Sequence, residues 1–437
     1  MSTNPITSEF WESLCRRTVS SPPTSGGTVI RPPRLPYVMP CVVAIAGLII
    51  EGLRPILIVA VVSAPLLAAD HYTRRPLMLL AASVILVMLW MKARYHVGSE
   101  SIHPGVYGHF TTSAVGRRVE QSLRRALERH HPTPYLFNAH LRTVILHVLM
   151  YGSPPPQGLQ RRWFPVEEQH IALDVLLPKG SPKGVVLLLH GLNGDTNEPY
   201  VIDMYKACQA RGFIGCGMLG RGLGSGSPFN GGPQDTFSPG RISDVLAVVS
   251  MLHSCTSLPV SLGGWSLGGV IAANLVARCG SSLKGVLSGC VVISGGLRLW
   301  EMFDSECAAE LCGAYGVYCG EWYPLLGMSQ SLRIGITHVT AVAVAMSADD
   351  EGKCRDIAVP TLIVHAVDDP VMHVALAGPK YDDDGRDASS QCLFAVITPS
   401  GGHLGFPQGW TPWTTGFGWI SNTALDFADA VMSSDHD

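Results

Sequence analysis

The chain is poor in charge. Asp, Glu, Lys and Arg supply only 15% of its 437 residues, against roughly 25% in ordinary soluble domains, which points to part of the chain lying in lipid. Basic residues number 31 and acidic ones 34, so no cationic surplus exists to neutralise phosphates, and no nucleic-acid partner is expected. No CxxC pair occurs among the 12 cysteines scattered from Cys15 to Cys392, which argues against a zinc ribbon or a thioredoxin-type site. Their scatter suits buried free thiols, with disulfides in an oxidising compartment as the alternative. The N-terminus lacks the short basic start and immediate apolar run of a secretory signal. Nor does any apolar run in the N-terminal part reach the roughly 20 residues that a perpendicular helix needs to cross a bilayer.

What is present begins with residues 1–34, polar and rich in Ser, Thr and Pro, which read as a disordered tail. Three apolar runs follow, Leu35 to Ile50, Pro55 to Ala69 and Pro76 to Met91, broken by Glu51 with Arg54 and by Asp70 through Arg75. Runs of this length also suit buried core helices. Three of them packed together with almost no polar face predict N-terminal transmembrane helices, a membrane-anchor segment over residues 35–95. Arg16, Arg17, Arg31 and Arg34 precede the runs and Lys92 and Arg94 follow them, a symmetry that suits a two-pass hairpin with both flanks cytosolic. One tilted span and three short ones stay open as alternatives. The membrane is thus an expected partner, the catalytic domain is expected on the cytosolic side, and the organelle, with the endoplasmic reticulum among the candidates, is not specified.

Residues 96–160 form a linking region whose basic stretch, Gly116 to His131, has apolar residues at helical spacing. It is either a solvated helix face or a surface for anionic lipid. From residue 161 to 437 short apolar runs alternate with helical stretches, the mark of an α/β fold. The candidate strands are Val185 to Gly191, Phe213 to Leu219, Pro259 to Ser266, Gly285 to Ser294, Pro360 to Ala366 and Leu393 to Pro399. Continuous apolar runs suit parallel strands covered on both faces. WFPVEEQ and HIALDVLLP look like an antiparallel hairpin opening the sheet, and this region holds no internal repeat and no low-complexity tract.

Gly264-Trp265-Ser266-Leu267-Gly268 fits G-x-S-x-G, directly after an apolar strand and directly before the helical stretch VIAANLVAR. A tight strand-to-helix turn with small flanking residues lifts a serine Oγ clear of the sheet edge, so Ser266 is the candidate nucleophile. A serine hydroxyl needs an adjacent base and an orienting carboxylate. PTLIVHAVDDP ends a strand with Asp368 and Asp369, and ITPSGGHLGF ends the next with His403. The order Ser, Asp, His is that of α/β-hydrolases. Laying G-x-x-D on the acidic turn with Ala366 at the small position makes Asp369 the acid, and leaves Asp368 facing solvent or capping the following turn. The oxyanion of an acyl-transfer intermediate needs two backbone N–H donors, which Leu267 and Leu192 supply by position. His190, at a strand end among glycines, shapes that loop rather than acting as a base.

These landmarks resemble the YheT-type branch of the α/β-hydrolases, a group of animal abhydrolase-domain lipases, plant embryogenesis-associated proteins and bacterial esterases. The resemblance runs from about His131 to the C-terminus and includes HPTPYLFNAHLRTV, HGLNGDTNEPYV, RGLGSGSP, GWSLGG, DDP and GGHLGF. It implies a doubly wound, mostly parallel sheet, an N-terminal membrane anchor, and hydrolysis of acylglycerol, phospholipid or short-chain esters. Residues 295–358 fall where this fold inserts a lid, and their aromatic stretches suit either an acyl chain or a plain packed cap. The N-terminal hundred residues carry more apolar sequence than the single anchor usual in the animal members, so topology does not carry over. No H-x-x-x-x-D arrangement surrounds His403, so an acyltransferase side activity gains no support. A lipid or small ester is the expected substrate, with a thioesterase, an amidase and a non-catalytic lipid- or protein-binding scaffold as rivals. No metal or organic cofactor is implied, because such a triad completes acyl transfer with water alone.

Overall fold

The computed structural model describes residues 4–21, 103–223 (without 109, 111, 112, 137, 168, 193 and 222), 240–297, 356–377 and 390–433. The three apolar runs and most of the expected lid lie outside the described residues. Among the described residues no helix is long and apolar enough to cross a membrane.

Among the described residues nine strands form a single sheet in the order β1-β9-β8-β7-β6-β4-β5-β3-β2. β4 (Gly184–Leu189), β5 (Phe213–Met218), β6 (Val260–Trp265), β7 (Gly289–Ile293), β8 (Thr361–Ala366) and β9 (Leu393–Thr398) are mutually parallel and buried at every position. Their continuous apolar sequence follows from that burial, since a parallel strand carries helices on both faces. The expected opening hairpin is β2 (Gln160–Val166) with β3 (Gln169–Leu176), paired antiparallel, and β3 joins the sheet antiparallel to β5. The opposite edge is closed by β1 (Gly105–Gly108), antiparallel to β9, a short strand without a sequence signal of its own.

Helices cover both faces. On one side α2 (Ala114–Glu128), α4 (Pro199–Arg211) and α9 (Gly418–Met432) pack over a core that includes Val119, Leu123, Tyr205 and Phe427. The basic stretch therefore turns its apolar stripe onto α9. On the other side α5 (Ile242–Cys255) packs between α1 (Pro5–Arg17) and α6 (Leu267–Leu283), and α6 lies on the sheet. The shorter helices α3 (Ala139–Leu149), α7 (Val374–Ala377) and α8 (Pro412–Thr415) lie in connections. From β4 the chain passes to β5 on one side and then returns to β6 on the other. That reversal makes the carboxyl ends of β4 and β6 the topological switch point, where open α/β sheets bind ligands.

Residues 5–17 correct the expectation of a disordered tail. Asn4 caps α1 by accepting from the Ile6 N–H, Pro5 starts the helix, and Thr7, Phe10 and Leu14 recur on one face and are buried. Polar composition hid a narrow apolar stripe. Val19 then pairs with Trp163 through two backbone hydrogen bonds of 2.9 Å. Phe10→Ala is accordingly expected to cost roughly 3–5 kcal/mol, seen as a lower urea midpoint at unchanged slope; an unaltered midpoint would make the helix dispensable.

Candidate active site

β6 ends at Trp265, and the next residue, Ser266, has φ 51° and ψ −117°, a conformation that costs a non-glycine residue roughly 1–3 kcal/mol. The turn is tight enough that a Cβ on Gly264 would meet Gly268 O at 2.2 Å, and one on Gly268 would meet Leu189 O at 2.4 Å. Those two glycines are required by space. The Ser266 N–H donates to Ile293 O at 2.9 Å, and the Ser266 carbonyl accepts from Val270 to start α6. Trp265 points away into the core, with its ring 5.4 Å from that of Tyr200.

Two loops from neighbouring strands reach this serine. His403, after β9, has Nε2 2.8 Å from Ser266 Oγ, and its Nδ1 lies 2.9 and 3.1 Å from Oδ2 and Oδ1 of Asp369, after β8. Asp369 Oδ1 also accepts from the N–H groups of Val371 and Met372 at 2.9 Å each, which fixes the carboxylate facing inward. With a proton on Nδ1 directed to that carboxylate, Nε2 is left as an acceptor for the serine proton. The sequence-predicted Ser266, Asp369 and His403 therefore come together.

Asp368 departs from its expected place. Its Oδ2 lies 2.5 Å from Arg142 Nη1, and its Oδ1 accepts from the N–H groups of Gly401 and Gly402 at 2.7 and 2.9 Å. It caps the histidine loop, because the turn that sends Asp369 toward the imidazole sends its neighbour across to that loop. Arg142 lies 226 residues from Asp368, so no local pattern links them.

On the other side of the serine, a Cβ on Gly191 would lie 3.4 Å from Ser266 Cβ. The Gly191 N–H is occupied by Tyr200 Oη at 2.9 Å, which leaves Leu192 as the next amide of that loop. Leu267 begins α6, where unpaired N–H groups and the helix dipole favour negative charge. His190 Nε2 accepts from the Gly220 N–H at 3.0 Å and Nδ1 faces Gly191 O at 2.8 Å, so both ring nitrogens are engaged in ordering the loop. Burial holds its pKa down. Among the described residues no three His, Cys, Asp or Glu side chains stand close enough together to hold a metal ion.

No family model matches the chain. It is 27% identical to YheT of Escherichia coli (strain K12), over 51% of this chain and 71% of that protein. It is 22% identical to phospholipase ABHD3 of Mus musculus, over 71% of this chain and 80% of that protein. Among solved structures, Est1E from Butyrivibrio proteoclasticus with ferulic acid covers 62% of this chain and 99% of its own, at 14% identity and a TM-score of 0.42. The chain is thus similar to members of the YheT-type branch of the α/β-hydrolases.

Several ionisable groups near the candidate site are kept neutral. Burial, with a smaller push from Asp195, raises Glu198 to about 8, in the same loop as Leu192. His147 on α3 lies between the rings of Tyr200 and Phe417, at 5.7 and 5.4 Å, and burial lowers it to about 4. His130 is lowered to about 4 by burial, then by Arg142 and His131. All seven described cysteines are free, and burial raises the thiols of Cys208, Cys216 and Cys290.

The two depressed histidines set a direction for acid stability. Their unfolded forms take up protons near pH 6.5 while the folded forms resist until about 4. The stability they contribute is present above about pH 6.5 and lost as pH falls toward about 4. The melting temperature is therefore expected to drop across that window, and less steeply in His147→Phe; equal slopes for the two proteins would contradict this.

Proposed function

We propose that this α/β-hydrolase is a membrane-anchored serine hydrolase that cleaves carboxylic esters of lipids through Ser266, His403 and Asp369. What supports the reading is the unbroken chain from Ser266 Oγ to His403 Nε2 at 2.8 Å and from Nδ1 to Asp369 at 2.9 Å, behind a serine held at φ 51°. Its relatives include one named for an esterase and one named for a phospholipase.

In this mechanism Ser266 Oγ attacks the acyl carbon as His403 Nε2 takes the hydroxyl proton. The Leu192 and Leu267 amides hold the resulting oxyanion, a role for which one donor is worth about 10²–10³ in kcat elsewhere. Collapse of the intermediate breaks the ester C–O bond, and the imidazolium returns its proton to the departing alcohol. Water then attacks the acyl-enzyme with the same base, releasing the carboxylic acid and restoring the serine. Asp369 holds the imidazole tautomer and stabilises its cation. Membrane attachment rests on the three apolar runs between Leu35 and Met91.

Ser266→Ala is expected to abolish ester hydrolysis and covalent labelling by a fluorophosphonate probe while the protein stays folded. Asp369→Asn should lower kcat by at least about 10²-fold, in line with the loss of about 10⁴ seen for the corresponding change in a serine protease. Labelling that survives Ser266→Ala would identify a different nucleophile. Full-length protein should stay in the membrane pellet through high-salt and carbonate washes, and release by either would remove the anchor from the proposal.

A further inference from the structure

The loop that carries His403 has no regular structure, and Gly402, Leu404 and Phe406 all lie at positive φ, 65°, 67° and 44°. Leu and Phe gain nothing locally from that region, so the loop must be held from outside. A row of side-chain oxygens holds it. The N–H groups of Gly401 and Gly402 donate to Asp368 Oδ1, that of His403 donates to Thr143 Oγ1 at 2.9 Å, and that of Leu404 donates to Ser294 Oγ at 3.2 Å. Four consecutive amides thus end on three side chains, and two of those are braced by α3. Arg142 pairs with Asp368, and the Thr143 hydroxyl donates to Ala139 O at 2.9 Å, which leaves its oxygen directed at His403. The backbones also touch: a Cβ on Gly402 would meet Thr143 N at 2.7 Å, and one on Gly405 would meet Arg142 O at 1.9 Å.

We propose that Arg142, Thr143 and Asp368 are positioning residues for His403, so that α3, which lies outside the alternating strand–helix repeat, is a working part of the active site. This rests on the reading of Ser266, His403 and Asp369 as a triad. Arg142 has a second task in this arrangement. Asp368 and Asp369 are adjacent and mostly buried, and pairing Asp368 with the guanidinium leaves Asp369 as the one unneutralised carboxylate of the pair facing the imidazole. A loop released from these oxygens lets the imidazole drift from Ser266 Oγ, and a displacement near 1 Å costs about 10²-fold in rate.

The test uses the full chain in detergent, a soluble nitrophenyl ester and a fluorophosphonate probe, with rates expressed per folded protein. Thr143→Val preserves shape and removes the hydroxyl; it should lower kcat and the labelling rate by about 10- to 100-fold with KM within about twofold. Thr143→Ser should recover most of that loss. Asp368→Ala should be worse than Asp368→Asn, which keeps an oxygen for the two glycine amides and loses only the ion pair. Hydrogen exchange at residues 401–403 should speed up in each impaired variant. Wild-type kcat and labelling in Thr143→Val and Asp368→Asn, with or without a lower melting temperature, would overturn the proposal, and those two variants decide the matter should Asp368→Ala fail to fold. Failure of the underlying triad is seen separately, as labelling or hydrolysis that persists in Ser266→Ala.

Discussion

One imidazole must lie within hydrogen-bond reach of two groups at once, and that demand organises the rest of the molecule. His403 meets Ser266 Oγ with one ring nitrogen and Asp369 with the other. In the proposed mechanism neither contact tolerates much displacement, because proton transfer depends on distances near 3 Å. The serine, the acid and the histidine follow three different strands, β6, β8 and β9, so their spacing is set by strand separation and by the shape of three turns.

The sheet supplies rigidity in a particular way. Its six parallel strands are buried on both faces, and the core on each side is filled by helices that include sequence far from the central repeat. α1 comes from the N-terminal end and covers the face carrying α5 and α6. α2 packs against α9 on the other face, where burial removes the Trp419 indole from solvent and its Nε1–H donates to Ala126 O at 2.9 Å. In this fold the additions before the first hairpin are integral to the packing.

Electrostatics near the site follow one pattern. Charges that remain are paired, as Arg221 with Asp244 and Arg161 with Asp174, both through two hydrogen bonds. Elsewhere burial disfavours the charged form, as with His147, His190 and Glu198. Both outcomes reflect the cost of an isolated charge in a medium of low polarity. The result leaves the His403–Asp369 pair beside the serine in surroundings where a newly formed oxyanion would be poorly screened.

Much of this is legible in the sequence because it is local. Each parallel strand is a short apolar run bounded by turn residues, and the six candidate runs lie within a few residues of the observed strand bounds. The elbow is legible for the same reason, since only glycine fits at 264 and 268, and a serine between two such glycines at the end of a strand marks a tight strand-to-helix turn. The preference for Asp369 over Asp368 also follows from local spacing. What escapes the sequence is what depends on pairing across long separations. The order of the strands, the edge strand β1, and the helix hidden in the polar residues 5–17 each take their place only when distant surfaces meet. The same holds for Arg142 and Thr143, whose partners stand 226 and 260 positions away. Amino-acid type and periodicity determine which strands and turns form and which chemical groups stand at their ends. Which of those groups face one another is decided by packing, because a hydrogen bond of 2.9 Å between remote residues leaves no periodic trace in the chain.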